Sequence, residues 1–166
     1  MSGPLSPPTV RPAVDSDADG LIDLVGSCFS EYEGCVLEAE NEMPHLLRPA
    51  AHFAAVNGRA WVAEADGSVV GSAACKPAQE VGGLELQMLY VLAPWRRRGL
   101  GARFVALVEQ EAIERGADFV DLWTDIRFLD AHRLYRSLHY QQLPEVRALQ
   151  DLSDTREFHF IKRLGP

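Results

Sequence analysis

The segment that most constrains this chain is Leu89–Ala102, because it joins a strand-like run to a helical pattern through a short basic loop. The apolar run ends at Pro94, three arginines follow at 96–98, and Gly99 and Gly101 come next. Glycines let the backbone approach an anion closely, a helix N-terminus favours negative charge, and arginines add charge-assisted hydrogen bonds. The segment therefore predicts a receptor for phosphate groups, with a plain basic glycine turn as the alternative.

Length and composition limit the class of protein. The 166 residues suffice for the core of one domain, which we predict over residues 9–166. A formal net charge of −8 argues against nucleic-acid binding, and no apolar run is long enough to span a membrane. Residues 1–8 hold Pro and Ser without an apolar signal region, which predicts a disordered lead. Three cysteines without metal-ligand spacing favour reduced thiols, a cytoplasmic location and no metal.

Hydrophobic patterning predicts elements in the order β-α-α-β-β-β-α-β-α-β-β. Strand-like runs cover Thr9–Ala13, Arg59–Glu64, Ser68–Ala74, Leu84–Leu92, Phe119–Thr124, Tyr140–Leu143 and Glu157–Arg163. Helical signals cover residues 21–28, 49–58, 104–116 and 130–138, with Asp130 as the cap of the last helix. Asp66-Gly67 is a hairpin signal between two strands. Strand–helix–strand units in this order pack on a mixed sheet.

Two motifs in this order resemble the GNAT superfamily of acyl-CoA-dependent N-acyltransferases. Residues 96–101 (RRRGLG) satisfy the family signature Q/R-x-x-G-x-G/A, between the fourth strand and the next helix. Residues 131–140 (AHRLYRSLHY) resemble the family segment A-x-x-L-Y-x-x-x-G-F/Y. The resemblance spans roughly Thr9 to Arg163 and implies an α/β (α+β) fold. That fold is a mixed, mostly antiparallel twisted sheet of about seven strands with about four helices, whose fourth and fifth strands splay apart.

The resemblance also implies how a cofactor, acetyl-CoA, would bind. The strand-to-helix loop of the family holds the coenzyme pyrophosphate, which assigns that role to Arg96, Arg97, Arg98, Gly99, Leu100, Gly101 and Ala102. Backbone groups of Leu89, Tyr90 and Val91 would face the pantetheine arm as an added strand would. Asp130 stands where the family often has an asparagine that contacts the pantetheine, and a helix cap is its alternative role.

Two residues are candidates for catalysis. Tyr135 matches the family position whose hydroxyl faces the CoA sulfur, and a protonated phenol can donate its proton to the leaving thiolate. A plain core tyrosine is the alternative, since Tyr135 lies on the apolar face of its helix. Glu85 lies where some family members place a general base, and burial would raise its pKa. A solvated residue at the strand end is the alternative, and in many family members a water chain carries the proton out.

The chain departs from the family pattern at His139, which replaces the usual glycine before the aromatic residue and predicts a different helix C-terminus. Cys28, Cys35 and Cys75 match no family nucleophile, which disfavours a covalent acyl-enzyme.

Acceptor binding is predicted from charge and from position along the chain. Residues 30–42 carry five glutamates and no basic residue, and the family uses this region as one wall of the acceptor pocket. Glu31 and Tyr32 are therefore predicted to bind an amine, with a solvated acidic loop as the alternative. Trp123 and Arg127 lie at the end of the fifth strand, near where acyl group and acceptor would meet. Arg127 suits either a substrate carboxylate or a structural ion pair.

These observations predict a cytoplasmic N-acetyltransferase that transfers acetyl from acetyl-CoA to a primary amine by direct attack in a ternary complex. A small amine or amino acid is the expected acceptor. The alternatives are a protein or peptide amine, or an acyl-CoA-binding module without turnover. No metal, nucleic acid or membrane is an expected partner, and the oligomeric state stays open, with a homodimer among the expectations.

Overall fold

A seven-stranded sheet in the order β1-β2-β3-β4-β5-β7-β6 runs through the computed structural model, which describes residues 4–165. The strands are β1 (Thr9–Pro12), β2 (Arg59–Ala65), β3 (Ser68–Pro77), β4 (Gly83–Val91), β5 (Phe119–Asp125), β6 (Gln141–Ala148) and β7 (Arg156–Arg163). The described helices are α1 (Ala18–Phe29), α2 (Pro49–Ala55), α3 (Leu100–Glu114) and α4 (Leu129–Ser137). β4 and β5 pair in parallel and all other neighbours are antiparallel. The predicted fold class and element order are confirmed.

The structure extends one predicted strand. β6 continues to Ala148 and does not stop near Leu143, because this edge strand is exposed along nearly its whole length and has no apolar alternation to mark its end. Pro144 and a register shift between Gln142 and Val146 fit an edge position. Of the predicted lead, residues 4–8 lie outside any helix or strand, and residues 1–3 lie outside the described residues.

Strand residues alternate between two buried layers, one on each face of the sheet. The first layer joins α3 and α4 to the strands through Trp61, Ala63, Leu86, Phe104, Val108, Leu122, Tyr135 and Phe160. The second joins α1 and α2 to the opposite face through Leu21, Leu24, Val25, Phe53, Val62, Ala74 and Met88. Helices cover both faces, so the middle of the sheet is a rigid base for the loops at the strand ends.

The central feature of the sheet is a split between β4 and β5. These strands pair only from Gly83 to Leu86, against Phe119 to Leu122, and then part. On the other side of β4, a bulge sets two residues, 88 and 89, opposite one residue of β3, and Met88 adopts φ 54°. A bulge bends its strand and increases the local twist, which here accompanies the opening of β4 away from β5. The splay that the family resemblance implied is thus present.

Turn chemistry follows the sequence at two predicted positions. Asp66 and Gly67 both have positive φ, 51° and 78°, as a two-residue hairpin turn of the primed type requires. α3 ends just before Gly116, whose φ is 71°, and this is close to the predicted end of the helix.

The prediction of a different C-terminus for α4 is wrong. His139 adopts φ 72°, the left-handed conformation that glycine usually supplies after a helix. The Tyr140 amide donates to the Tyr135 carbonyl at 2.9 Å, and the His139 amide donates to the Arg136 carbonyl at 3.1 Å. These two bonds make a Schellman motif, which is the helix C-terminus that a glycine would give. His139 therefore keeps that C-terminus, at the steric cost of a side chain in the left-handed conformation. Histidine occupies this region more readily than most residues with a side chain.

We therefore predict that His139→Gly raises the free energy of unfolding by about 0.5 to 1 kcal/mol, because glycine takes a positive φ without steric cost. Urea denaturation would measure the change. His139→Ala is the matched control, since it also removes the exposed imidazole but keeps a Cβ at the left-handed position. Equal stability of the glycine and alanine variants would contradict the prediction.

Candidate active site

A cavity of about 620 Å³ lies between the end of β4, the basic loop and the first turns of α3 and α4. We call it the loop cavity. Nine predicted cofactor-binding residues line it: Leu89, Tyr90, Val91, Arg96, Arg97, Gly99, Gly101, Ala102 and Asp130. Fold geometry thus gathers residues from β4, the loop and both helices around one space.

The loop presents backbone amide groups at the start of α3. Gly99 is the N-cap with φ 81°, and no side chain caps the helix there. The first backbone hydrogen bond of α3 runs from the Arg103 amide to the Gly99 carbonyl at 3.0 Å, so the amides of Gly101 and Ala102 have no partner earlier in the helix. Gly101 also lets α3 approach α4, because a Cβ there would lie 2.9 Å from Cδ2 of Leu134. Free amides at a helix start suit an anion.

The three arginines of the loop have different surroundings. Arg96 forms a two-pronged pair with Glu31, at 2.6 Å on both nitrogens, and donates Nε to the Val91 carbonyl at 2.8 Å. Arg98 donates Nε to the Pro94 carbonyl at 3.2 Å and is absent from the lining of the loop cavity. Arg97 lines the cavity and has no ion pair with any residue from 4 to 165. Arg97 is therefore the loop arginine best placed to meet an anion.

Leu100 and Asp130 complete the predicted cofactor set. Leu100 is buried in the first core layer, in line with a packing role. The prediction that Asp130 caps α4 is wrong, because the N-cap is Phe128 and Asp130 lies in the first turn. Its carboxylate pairs with Arg133 at 2.9 Å on the rim of the loop cavity.

A second cavity, also about 620 Å³, opens on the other side of the split. Leu89, Tyr90, Phe128 and Ala131 line both cavities. The two spaces therefore meet where β4 and β5 part. A ligand in the loop cavity and a ligand in the second cavity would face each other across this junction.

Tyr135 lines the second cavity from α4. Its side chain is buried, and its hydroxyl forms no hydrogen bond with the part of the chain that the structure describes. Burial raises the pKa of Tyr135 above the ordinary phenol value, so the group carries its proton at neutral pH. The hydroxyl is free to donate toward the cavity.

Glu85 lines the same cavity from β4 and is only 7% exposed, so it is not a solvated residue at the strand end. Gln87 Nε2 donates to its carboxylate at 2.5 Å, and Lys76 Nζ lies 4.0 Å away. Burial raises the pKa of Glu85 above that of an ordinary carboxyl; Lys76 opposes the shift and Asp121 adds to it. A carboxyl of this kind can exchange a proton nearer to neutral pH.

The five glutamates of residues 30–42, which we call the acidic wall, do not all lie at the same cavity. Glu38 and Glu42 line the second cavity, whereas Glu31, Glu33 and Glu40 do not. Glu31 forms an ion pair with Arg96 beside the loop cavity. The prediction that Glu31 faces the acceptor is therefore not supported by its position, since a basic partner 65 residues away in sequence holds it there.

The other predicted acceptor residues lie in different places in the fold. Tyr32 packs against Phe128, with ring centroids 4.9 Å apart, and lines the loop cavity. Trp123 lines the second cavity and stacks on His159 at 4.1 Å. Arg127 makes the structural ion pair that the sequence left open, because its guanidinium contacts both carboxylate oxygens of Asp125, at 2.9 and 2.7 Å.

Several residues of the second cavity carry no motif and were missed from the sequence. His45 and His52 line it from a short turn and from α2, with ring centroids 5.6 Å apart. Burial lowers the pKa of His45 to about 4, so its ring is neutral at pH 7. Arg147 of β6 lies over the Trp123 ring at 4.1 Å. Only the folded chain brings these distant segments together.

Two loops close the second cavity by hydrogen bonds to each other. The Val36 amide donates to Ser153 Oγ at 2.7 Å, and that hydroxyl donates back to the Val36 carbonyl at 3.1 Å. The Leu152 amide donates to Glu42 at 2.8 Å. These contacts fix the wall to which Glu42 belongs.

Within residues 4–165, no group of three or more His, Cys, Asp or Glu side chains is arranged to hold a metal ion. No helix in that range is long and apolar enough to cross a membrane.

The acetyltransferase (GNAT) family model matches residues 21–140. A 58-residue segment is 41% identical to an aminoalkylphosphonate N-acetyltransferase of Salmonella typhimurium and covers 35% of this chain and 38% of that protein. The chain spans less than half the length of the curated relatives it matches.

Solved structures share the fold. A GNAT acetyltransferase of Staphylococcus aureus superposes with a TM-score of 0.80 at 16% identity, over 95% of this chain and 99% of that one. An acetyltransferase of Salmonella typhimurium solved with its cofactor acetyl-CoA has a TM-score of 0.71 at 15% identity, over 96% and 95%.

Proposed function

The chain belongs to the acetyltransferase (GNAT) family, and on that premise we propose that it transfers an acetyl group from acetyl-CoA to a primary amine. The observation that carries the proposal is the meeting of two cavities at the β4–β5 split, at Leu89, Tyr90, Phe128 and Ala131. One cavity has the free helix amides that an anion needs, and the other has a buried acid–base pair. Two substrates can therefore approach each other within one ternary complex.

The loop cavity fits acetyl-CoA in its chemistry. Free amides of Gly101 and Ala102 and the guanidinium of Arg97 suit the pyrophosphate. The unpaired edge of β4 beyond Leu86 offers backbone groups to the amides of the pantetheine arm. Acetyl-CoA supplies a thioester whose acetyl group passes to the amine nitrogen as the carbon–sulfur bond breaks.

Tyr135 would protonate the leaving thiolate. Its hydroxyl is protonated at neutral pH, has no protein partner within the described residues, and faces the cavity beside the junction. Proton donation to a leaving group is a general-acid role.

Glu85 would take up the proton that the amine must lose. Its burial and its place in the second cavity support this role, and a water between amine and carboxylate can complete the path. Cys28 lines the loop cavity and Cys35 the second cavity, but burial raises the pKa of both thiols, so neither is an activated nucleophile. Direct attack by the amine is therefore the simplest route.

A small amine or an amino acid is the acceptor that the second cavity favours. About 620 Å³ suits a small molecule, and the loops joined at Val36 and Ser153 limit the opening. The Salmonella typhimurium relative is named for aminoalkylphosphonates, which are small amines. A protein or peptide amine is the second candidate.

For the coenzyme site, we predict that Arg97→Ala raises the Kd of acetyl-CoA about tenfold, because one charge-assisted contact to phosphate is lost. Arg98→Ala is the matched control: it removes the same charge one residue away, outside the cavity lining. Calorimetry would measure both. These variants avoid position 101, where a side chain would also disturb Leu134. Equal affinity of the Arg97 and Arg98 variants would remove the phosphate role of Arg97.

For the acid, Tyr135→Phe is expected to lower kcat on the order of 100-fold with little change in acetyl-CoA affinity, since only the proton donor is removed. Tyr140→Phe serves as the control, because that hydroxyl is buried without a partner in the described chain and lines neither cavity. Steady-state rates and acetyl-CoA titrations would separate the two effects. A Tyr135→Phe enzyme as fast as the parent, with chemistry rate-limiting, would make Tyr135 a core residue.

For the acceptor, a library of amines screened for release of free CoA should identify small cationic amines as substrates, whereas an acyl-CoA-binding module would release none. Replacing Glu38 and Glu42 with Gln should then raise KM for the best amine several-fold at low salt, because two negative charges that attract a cationic amine are lost. The increase should become smaller as salt is added, since charges are screened within roughly 10 Å at ~0.1 M salt.

The matched control for this test replaces Glu33 and Glu40, which lie in the same segment but outside the cavity lining. A KM indifferent to salt and to both pairs would move the acceptor site away from the acidic wall, toward Trp123.

A further inference from the structure

Glu85 and Asp121 are register partners on the parallel strands β4 and β5, one step before the strands part. Side chains of such partners leave the same face of a sheet, on strands about 4.8 Å apart. Both residues are buried, at 7% and 5% exposed. Two carboxyl groups therefore stand side by side at the base of the split, with Glu85 in the cavity wall and Asp121 outside its lining.

Asp121 is held from the far side by His159 of β7. His159 Nε2 lies 2.8 Å from Asp121 Oδ2 and donates to it when Asp121 is ionised, since a carboxylate can only accept. The imidazole also stacks on Trp123, and Glu145 Oε1 lies 3.4 Å from its Nδ1. Asp121 Oδ1 is buried and has no hydrogen-bond partner among residues 4–165. Its charge is therefore compensated on one oxygen and uncompensated on the other.

Other charged groups face this pair from the neighbouring strands. Lys76 of β3 lies 4.0 Å from Glu85, and Arg147 of β6 also favours its charged form but is held by Glu157 at 2.8 Å. Gln87 on β4 donates to Glu85, and Glu80 disfavours charge on Asp121. Burial raises the pKa of both carboxyls, and the charge of Asp121 raises the pKa of Glu85 further.

We propose that Asp121, held by His159, is a positioning residue that sets the pH at which Glu85 gains and loses its proton. Two neighbouring buried carboxyls repel when both are ionised. The hydrogen bond from His159 favours charge on Asp121, so the first proton resides on Glu85. The inference rests on the proposed function only where Glu85 acts as the base, since the coupling of the two carboxyls exists without turnover.

The test measures the Glu85 titration directly, by carbon-13 NMR of protein labelled at the glutamate side-chain carboxyl. The Glu85 signal is the one absent from Glu85→Gln. In Asp121→Asn the Glu85 midpoint should fall by about one pH unit, because a neighbouring negative charge is removed. The asparagine oxygen can still accept from His159, so the fold is preserved. Asp118→Asn is the matched control, since it removes an exposed carboxylate at the approach to the same strand.

A reciprocal measurement needs no change at Asp121. In Glu85→Gln the Asp121 signal, followed with labelled aspartate, should titrate at nearly the same pH as in the parent, because in the parent Glu85 is already neutral when Asp121 takes up its proton. An unmoved Glu85 midpoint in a folded Asp121→Asn protein would overturn the proposal, and so would a clear fall of the Asp121 midpoint in Glu85→Gln, which would place the first proton on Asp121.

The rate profile separates this inference from the proposed function. Activity that requires ionised Glu85 rises with pH through its pKa, so the acid limb of kcat/KM should move to lower pH in Asp121→Asn, together with the NMR midpoint. A midpoint that falls while the acid limb stays in place supports the coupling and removes Glu85 from the role of base.

Discussion

The structure depends on a sheet whose two central strands stop pairing after four residue pairs. β4 and β5 begin side by side at Gly83 and Phe119, and the bulge at Met88 accompanies their separation. Backbone groups beyond the last pair lack a strand partner across the gap. Such groups need other partners in the folded protein, and a ligand with its own amides can supply them. Both cavities, and the junction between them, exist because of this split.

Charge is distributed around the split in a consistent way. The chain is acidic overall, yet the loop after β4 carries three arginines, and Glu31 occupies one of them. The pair of Arg96 with Glu31 joins the segment after α1 to the loop, and leaves Arg97 and the helix amides as the groups available to an anion. On the other side, buried Glu85, Asp121 and Tyr135 hold protons more tightly than exposed groups do. One half of the site thus suits anions, and the other suits proton exchange.

Sequence patterns predicted the fold well where the signal is local. Alternation and helical spacing placed every strand and helix in order, Asp66-Gly67 marked its hairpin, and the glycine loop marked the start of α3. Prediction failed where geometry overrides composition. His139 adopts a glycine conformation at the end of α4, Asp130 follows the helix cap, and β6 extends along an exposed edge without alternation. A backbone torsion and an edge strand leave little trace in hydrophobic periodicity.

By itself the sequence determined the order of elements and the place of the basic glycine loop, and its resemblance to a family singled out Tyr135 and Glu85, because each of these follows from neighbouring residues or from a motif of fixed spacing. Tertiary structure alone decided which side chains meet. Glu31 faces Arg96, Asp121 lies beside Glu85 with His159 behind it, and His45 and His52 share a cavity with Tyr135. Those contacts join residues that are far apart in the chain. Their partners are set by strand register and packing, which no local pattern encodes.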